Sequence, residues 1–198
     1  MRTLRIVRLC LAASLLAAMV LSGCGKDSPT KPVLPLPPTY PVLSTPQSVL
    51  SALEYAYSHR DTVETKAMYD PSYVGTSEDL SDPPGTPPIS LTYSDEVAHV
   101  DRLASKPTIS SAYLSLGPPT SWTRLESDDP SHPAWAVIQI AGTSLTVRIT
   151  ELPDNISEAR GSSLFFEFMF KPSTPEPTSP TDTLWTIVRW RESHAAFP

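Results

Sequence analysis

The sequence predicts an α+β fold in which N-terminal helices pack on one face of an antiparallel sheet. Before about residue 106, apolar residues recur at intervals of three and four, which is typical of helices. After that point they alternate with polar residues, which is typical of strands that bury one face. Helices that come first and strands that follow indicate helices covering one side of a sheet.

The first helix is predicted over residues 46–59, in STPQSVLSALEYAYSHR. It begins after a Ser/Thr cap candidate, has Pro46 in its first turn, and carries apolar residues at helical spacing. A short second helix follows in DTVETKAMYDP, where Asp61 and Glu64 are spaced like a capping box and Pro71 marks a stop. A third helix is predicted in TYSDEVAHVDRLAS, with one side formed by Val97, Val100, Leu103 and Ala104.

Five strands are predicted after the helices: one in TISSAYLSLG, two in AWAVIQIAGTSLTVRIT, and one each in SSLFFEFMFK and TLWTIVRWRE. The proline-rich KPSTPEPTSPTDT between the last two predicts an exposed hairpin loop. Two rows of alternate apolar residues must be covered by protein, because they would otherwise form large exposed patches. These rows are Leu164, Phe166, Phe168 and Phe170, and Leu145, Val147 and Ile149.

The order of these elements resembles that of the NTF2-like, SnoaL-like superfamily. The resemblance is carried by SVLSALEYAYSHRD, AMYDPSYVG, DEVAHVDRLAS and the aromatic final strand TLWTIVRWRE. It implies a helix pair, a short strand, a third helix and a long curved sheet that forms a cone around a pocket. In enzymes of that superfamily a polar acid/base pair lies in the pocket. A cystatin-like fold, with a long helix on a meander, fits the pattern almost as well.

The N-terminus has the three-part layout of a secretory signal peptide. Arg2, Arg5 and Arg8 precede an apolar run over residues 9–21, which is shorter than the roughly 20 residues that a membrane span needs. The run ends in Leu21-Ser22-Gly23-Cys24, which resembles the lipobox of bacterial lipoproteins. The resemblance implies cleavage before Cys24 and acylation of that cysteine. The alternative is an ordinary signal peptide with an incidental cysteine, or an uncleaved anchor.

These features predict a chain of four parts: a signal peptide over residues 1–23, a lipidated cysteine and proline-rich tether over 24–45, a domain over 46–193, and a tail over 194–198. The tether is expected to be semi-rigid, because proline favours the extended polyproline II conformation. Acyl chains would hold the protein on a membrane without spanning it. Gly25 follows the cysteine where an aspartate would resemble an inner-membrane retention signal, which favours the outer membrane.

Composition argues against several functions. The formal net charge is −6 and becomes −9 when Arg2, Arg5 and Arg8 leave with the signal peptide. Nucleic-acid binding relies on clustered positive charge, so nucleic acid is not an expected partner. Cys10 also leaves and Cys24 becomes lipidated, so no thiol remains for a disulfide, a metal site or a nucleophile. No cofactor is expected.

Three side chains are candidates for acid/base chemistry, which requires an ionisable group in an apolar environment. Asp95 and His99 lie four residues apart on the third helix, where the carboxylate could orient the imidazole, although a solvated helix face is the commoner explanation of such a pair. A metal would need further ligands that the sequence does not offer. Glu167 lies within FFEFMF, and a cross-strand partner such as Arg148 or Arg189 is the favoured explanation.

Aromatic residues on the predicted strands are the candidates for lining a ligand pocket, although such residues more often fill a core. They are Tyr113, Trp135, Phe166, Phe168, Trp185 and Trp190.

The leading hypothesis from the sequence is a lipid-anchored extracytoplasmic module that binds or assembles at a bacterial cell envelope without catalysis. Its partners would be the membrane, a small apolar ligand, or a second copy of the chain bound through the sheet. The alternative is a SnoaL-like enzyme with a small hydrophobic substrate, in which Glu167 or the Asp95 and His99 pair acts as acid/base. A third hypothesis is a structural lipoprotein whose pocket is filled by its own side chains.

Overall fold

The computed structural model describes residues 39–79, 83, 85–161, 163–174 and 183–194. The predicted signal peptide, Cys24 and most of the tether lie outside the described residues, as do most of the predicted hairpin loop and residues 195–198. The end of the predicted tether does lie within them. There Tyr40 and Leu43 pack against the main core, so the folded part of the chain begins before residue 46.

The first two helices have local signals at their ends. Helix α1 spans Pro46–His59, and the side chains and backbone amides of Thr45 and Ser48 bond each other reciprocally as its cap, at 3.0 Å each way. Helix α2 spans Thr62–Met68, and Asp61 Oδ1 accepts hydrogen bonds from two of its first amides. It ends three residues before Pro71, which lies instead in the following strand.

Nine strands and a third helix, α3 at Tyr93–Ser105, complete the described fold. The strands are β1 Tyr69–Asp79, β2 Ile89–Thr92, β3 Ile109–Ser115, β4 Thr123–Glu126, β5 Ala136–Ala141, β6 Thr146–Glu151, β7 Asn155–Arg160, β8 Ser163–Pro172 and β9 Trp185–His194. Five of them correspond to the predicted strands. The others include β2, β4 and β7, in which every residue is exposed, so no alternation of buried and exposed positions marks them.

The strands form two sheets within the described residues. The larger has the order β2-β1-β9-β8-β5-β4, and the smaller has the order β3-β6-β7. The strands β5 and β6, which were both predicted in AWAVIQIAGTSLTVRIT as parts of one sheet, belong to different sheets, and a short helical turn at Gly142–Ser144 separates them. All pairs are antiparallel except β1 with β9, which run parallel.

The main core lies between the helices and the larger sheet. Phe166, Phe168 and Phe170 point from β8 into this core, where α1 covers them with Val49, Leu50 and Leu53 among others. The side chain of Leu164, the fourth member of the predicted row, lies outside the described part of the chain. The predicted α+β class, with helices packed on a curved and mainly antiparallel sheet, is confirmed.

Candidate functional site

A cavity of about 290 Å³ lies between the three helices and the two sheets. All three helices contribute side chains to it, and so do strands of both sheets. The predicted row of Leu145, Val147 and Ile149 forms one wall. Most of the remaining surface is also apolar, and includes Leu53, Val100, Leu114 and Leu116. This volume is just below the range of about 300–1,000 Å³ that is typical of small-molecule sites, so the ligand would have to be small.

One side of the cavity is polar. Glu96 and His99 reach it from α3, and Tyr57 reaches it from α1. The Tyr57 hydroxyl lies 3.1 Å from His99 Nε2, and the Tyr73 hydroxyl donates a hydrogen bond of 3.1 Å to Glu96 Oε1. Burial, with a contribution from the Glu96 charge, raises the pKa of Tyr57 to about 12, so this hydroxyl keeps its proton at neutral pH.

Burial shifts the pKa values of Glu96 and His99, the two ionisable side chains of α3 that line the cavity, in opposite directions, because it disfavours the charged form of each. The pKa of Glu96 is raised by burial and by the neighbouring charge of Asp95, and the hydrogen bond from Tyr73 partly offsets the rise. The pKa of His99 is lowered by burial and by the charge of Arg102, so the imidazole is neutral at pH 7. The cavity therefore presents a neutral imidazole and a half-buried carboxyl group.

Asp95 does not orient His99. Its carboxylate faces solvent, where Oδ2 accepts hydrogen bonds from the Thr92 amide at 2.8 Å and the Thr92 hydroxyl at 2.7 Å. These two bonds lower the pKa of Asp95, as is usual for a carboxylate that caps a helix. A solvated face fits Asp95 but is wrong for His99, which lines the cavity.

The buried face of α3 is rotated from the predicted one. Val100 and Leu103 are buried as expected, but Ala104 is exposed. Glu96 and His99 complete the inward face, because positions 96, 99, 100 and 103 follow the spacing of one helical stripe. Glu96 was not among the predicted candidates, because a glutamate in the first turn of a helix is usually solvated. The spacing between Glu96 and His99 was the available signal.

Glu167 lies on the opposite face of the larger sheet, away from the cavity. It pairs with Arg189 Nη2 at 3.4 Å and Arg191 Nη1 at 3.8 Å, both on the adjacent strand β9. The expected cross-strand partner Arg189 is thus present, whereas Arg148 pairs with Glu158 at 2.5 Å. A carboxylate held by two guanidinium groups outside the cavity is not placed for chemistry inside it.

The six aromatic candidates are distributed over four environments. Phe168 and Trp190 line the cavity and stack on each other, with ring centroids 5.5 Å apart. Phe166 and Trp185 are buried in the main core, so pocket lining is wrong for them. The remaining two lie outside the cavity: Tyr113 is 49% exposed, and Trp135 stacks on His132 at 3.9 Å.

Trp190 has one further property. Its indole Nε1 is buried and has no hydrogen-bond acceptor among the described residues. Buried donors are usually paired, with protein or with another molecule.

Within the described part of the chain, no group of three or more His, Cys, Asp or Glu side chains is arranged to hold a metal ion. The same residues contain no helix that is both long and apolar enough to cross a membrane.

None of the known protein families matches the sequence, and no curated protein matches it. Similar solved structures exist at low identity. A conserved protein from Planctomyces limnophilus DSM 3776 is 13% identical with a TM-score of 0.48, and the match covers 74% of this chain and 91% of that chain. An NTF2-like superfamily protein from Salmonella enterica serovar Typhimurium is 12% identical with a TM-score of 0.48, and the match covers 76% of this chain and 89% of that chain.

An NTF2-like protein with a cystatin-like fold from Novosphingobium aromaticivorans is 12% identical with a TM-score of 0.41, covering 75% of this chain and 78% of that chain. At these identities the likenesses concern the fold alone.

Proposed function

We propose that this protein is a lipid-anchored, extracytoplasmic binding module of NTF2-like architecture whose cavity holds a small, largely apolar molecule. The cavity of about 290 Å³ is the observation that carries the proposal. Burial of an apolar surface is favourable at about 25 cal/mol per Å², and a few polar groups then fix the orientation of the ligand. An open cavity argues against the hypothesis of a pocket filled by the protein's own side chains.

The anchoring half of the proposal depends on the lipobox-like sequence that ends at Cys24. The described residues begin at Thr39, which leaves residues 25–38 between the cysteine and the folded part. Gly25 after the cysteine, in place of an aspartate, favours the outer membrane as the site of the anchor.

Replacement of the anchoring cysteine tests this half. We expect the wild-type chain to sediment with membranes and to carry the mass of acyl chains, and we expect Cys24→Ser to lose both properties, because no other thiol follows the predicted cleavage site. Cys10→Ser is the matched control and should leave both properties unchanged. Membrane fractionation and intact-mass spectrometry are the measurements. An acylated, membrane-bound Cys24→Ser protein would contradict the proposal.

Native mass spectrometry of the full chain, purified from its host, tests the binding half. We expect a bound small molecule in the wild-type protein and its loss in Val147→Trp, which fills the cavity from the wall. Thr150→Trp adds the same ring to the opposite face of the same strand and should keep the ligand. Circular dichroism checks that both variants fold. An empty wild-type cavity, or equal occupancy of the two variants, would contradict the proposal.

A second candidate function is favoured by His99 and Glu96, which supply a neutral base and a half-buried carboxyl group inside the cavity. These groups could move a proton on a bound substrate, as the enzyme hypothesis requires, with Glu96 taking the place expected for Asp95 or Glu167. The molecule recovered from the cavity can be incubated with wild-type protein and with His99→Ala. A chemical change that only the wild type produces would support an enzyme, and no change would leave the binding module.

A homodimer through the sheet is a further proposal about partners. Part of the outer face of the larger sheet is already covered by the same chain. Trp135 packs there against Val137, Met169 and Val188, and Asp128 binds two arginines of β9. A second copy would have to dock on the remainder of this face or on a sheet edge.

A further inference from the structure

We propose that the ligand is an apolar organic amine whose ammonium group binds at Glu96, between aromatic side chains of the cavity. This inference rests on the proposed binding function and adds the chemical class of the ligand.

The first argument is the charge of the cavity. Glu96 is the single acidic side chain on its described surface, and no lysine or arginine lies on that surface. Among the described residues, Glu96 forms no salt bridge. It accepts a hydrogen bond from the Tyr73 hydroxyl. Glu96 is half-buried in an apolar cavity, so a cation or several donors there would offset the hydration that its carboxylate has lost. An ammonium group provides a positive charge and N–H donors together.

The second argument is the aromatic character of the cavity that Glu96 lines. Four aromatic side chains line it, and they come from one helix and three strands: Tyr57 of α1, Tyr69 of β1, Phe168 of β8 and Trp190 of β9. Aromatic rings attract cations through the negative potential of their faces. A carboxylate among aromatic rings therefore suits an amine better than it suits an alcohol or a hydrocarbon of the same shape.

The other ionisable groups near Glu96 do not supply the missing cation. His99 is half-buried with its Nε2 next to the Tyr57 hydroxyl, and Asp95 on the same helix adds negative charge. Tyr69 and Tyr73 are buried phenols. An anionic ligand would meet an uncompensated carboxylate, which disfavours fatty acids and phosphates. The formal net charge of −6 also attracts cations towards the protein.

The experiment compares 4-phenylbutylamine with 4-phenylbutan-1-ol, which differ in the ammonium and hydroxyl groups, by titration calorimetry of the full chain. We expect the amine to bind roughly 10- to 100-fold more tightly than the alcohol, as one charge-assisted hydrogen bond and one cation–π contact would give. Glu96→Gln should abolish this preference and keep the binding of the alcohol. Asp101→Asn removes the same charge from the solvent side of α3, where Asp101 contacts Lys66, and should keep the preference.

The outcomes separate the two proposals. Equal affinity for amine and alcohol in the wild type would overturn the amine inference and leave the apolar binding site. A preference that persists in Glu96→Gln, or that disappears in Asp101→Asn, would show that it comes from the general charge of the protein, and would also overturn the inference. Binding of neither compound would contradict the proposed function itself, and with it the inference.

Discussion

Phe170→Ala is expected to lower the free energy of unfolding by about 3–5 kcal/mol, the usual cost of removing a fully buried aromatic ring. Phe170 is 0% exposed, and it lies on β8 between Ala136 of β5 and Ile187 of β9. Helices and sheet both contribute to the core around it, so neither can close the space without losing its other contacts. Because Phe170 does not line the cavity, the loss should not depend on bound ligand.

The measurement is urea unfolding followed by circular dichroism, with Tyr113→Ala as the matched control. Tyr113 is an aromatic residue on a strand too, but it is 49% exposed, so its truncation should cost about 0.5 kcal/mol or less. Similar losses in the two variants would mean that the row from Phe166 to Phe170 is not the centre of the core.

The helices could be predicted because their signals are local. Thr45 and Asp61 cap the helices that follow them, and a capping residue acts within three positions of itself. Pro71 was misleading as a stop signal for the second helix. It lies in β1 where the pairing with β9 is interrupted, between Tyr69 and Val74, and a residue without an amide hydrogen is tolerated at such an interruption.

The strands were predictable where one buried face makes apolar and polar residues alternate, as in β8. Strands without a buried face were not predictable. The strand β7 is exposed at every position, so its sequence has no apolar period, and its pairing with β6 alone makes it a strand. The separation of β5 from β6 into two sheets also depends on tertiary contacts. The turn at Gly142–Ser144 makes this separation, and the sequence there is equally suited to a hairpin.

The cavity was only partly predictable for a related reason. Phe168 and Trp190 were found because large aromatic residues on strands face inward. Glu96 was missed because a glutamate near the start of a helix is usually solvated, and its position in the cavity wall follows from the way α3 lies over the sheets. Removing a carboxylate from water costs free energy unless a specific contact offsets the cost. The position of Glu96 in an apolar cavity is therefore the most informative observation about function.

Gly161→Ala is expected to destabilise the protein by about 3 kcal/mol, at the upper end of the usual range for overpacking. Gly161 joins β7 of the smaller sheet to β8 of the larger one, and its amide donates to the Leu145 carbonyl at 2.9 Å. A methyl group there would collide with the backbone oxygen of Gly142, and it would lie 2.9 Å from Phe166 Cε2 and 3.1 Å from Leu145 Cβ. The Gly142 oxygen belongs to the backbone, so it cannot move aside as the end of a flexible side chain can.

Gly85→Ala separates this steric cause from the general cost of replacing glycine. Gly85 has a φ of 92°, which disfavours alanine, but nothing lies within 4 Å of the added methyl group, so the loss should be about 1 kcal/mol. Leu145 lines the cavity, so a shift of this corner in Gly161→Ala should also weaken ligand binding. A Gly161→Ala protein that unfolds and binds like the wild type would contradict the close approach of the two sheets that encloses the site.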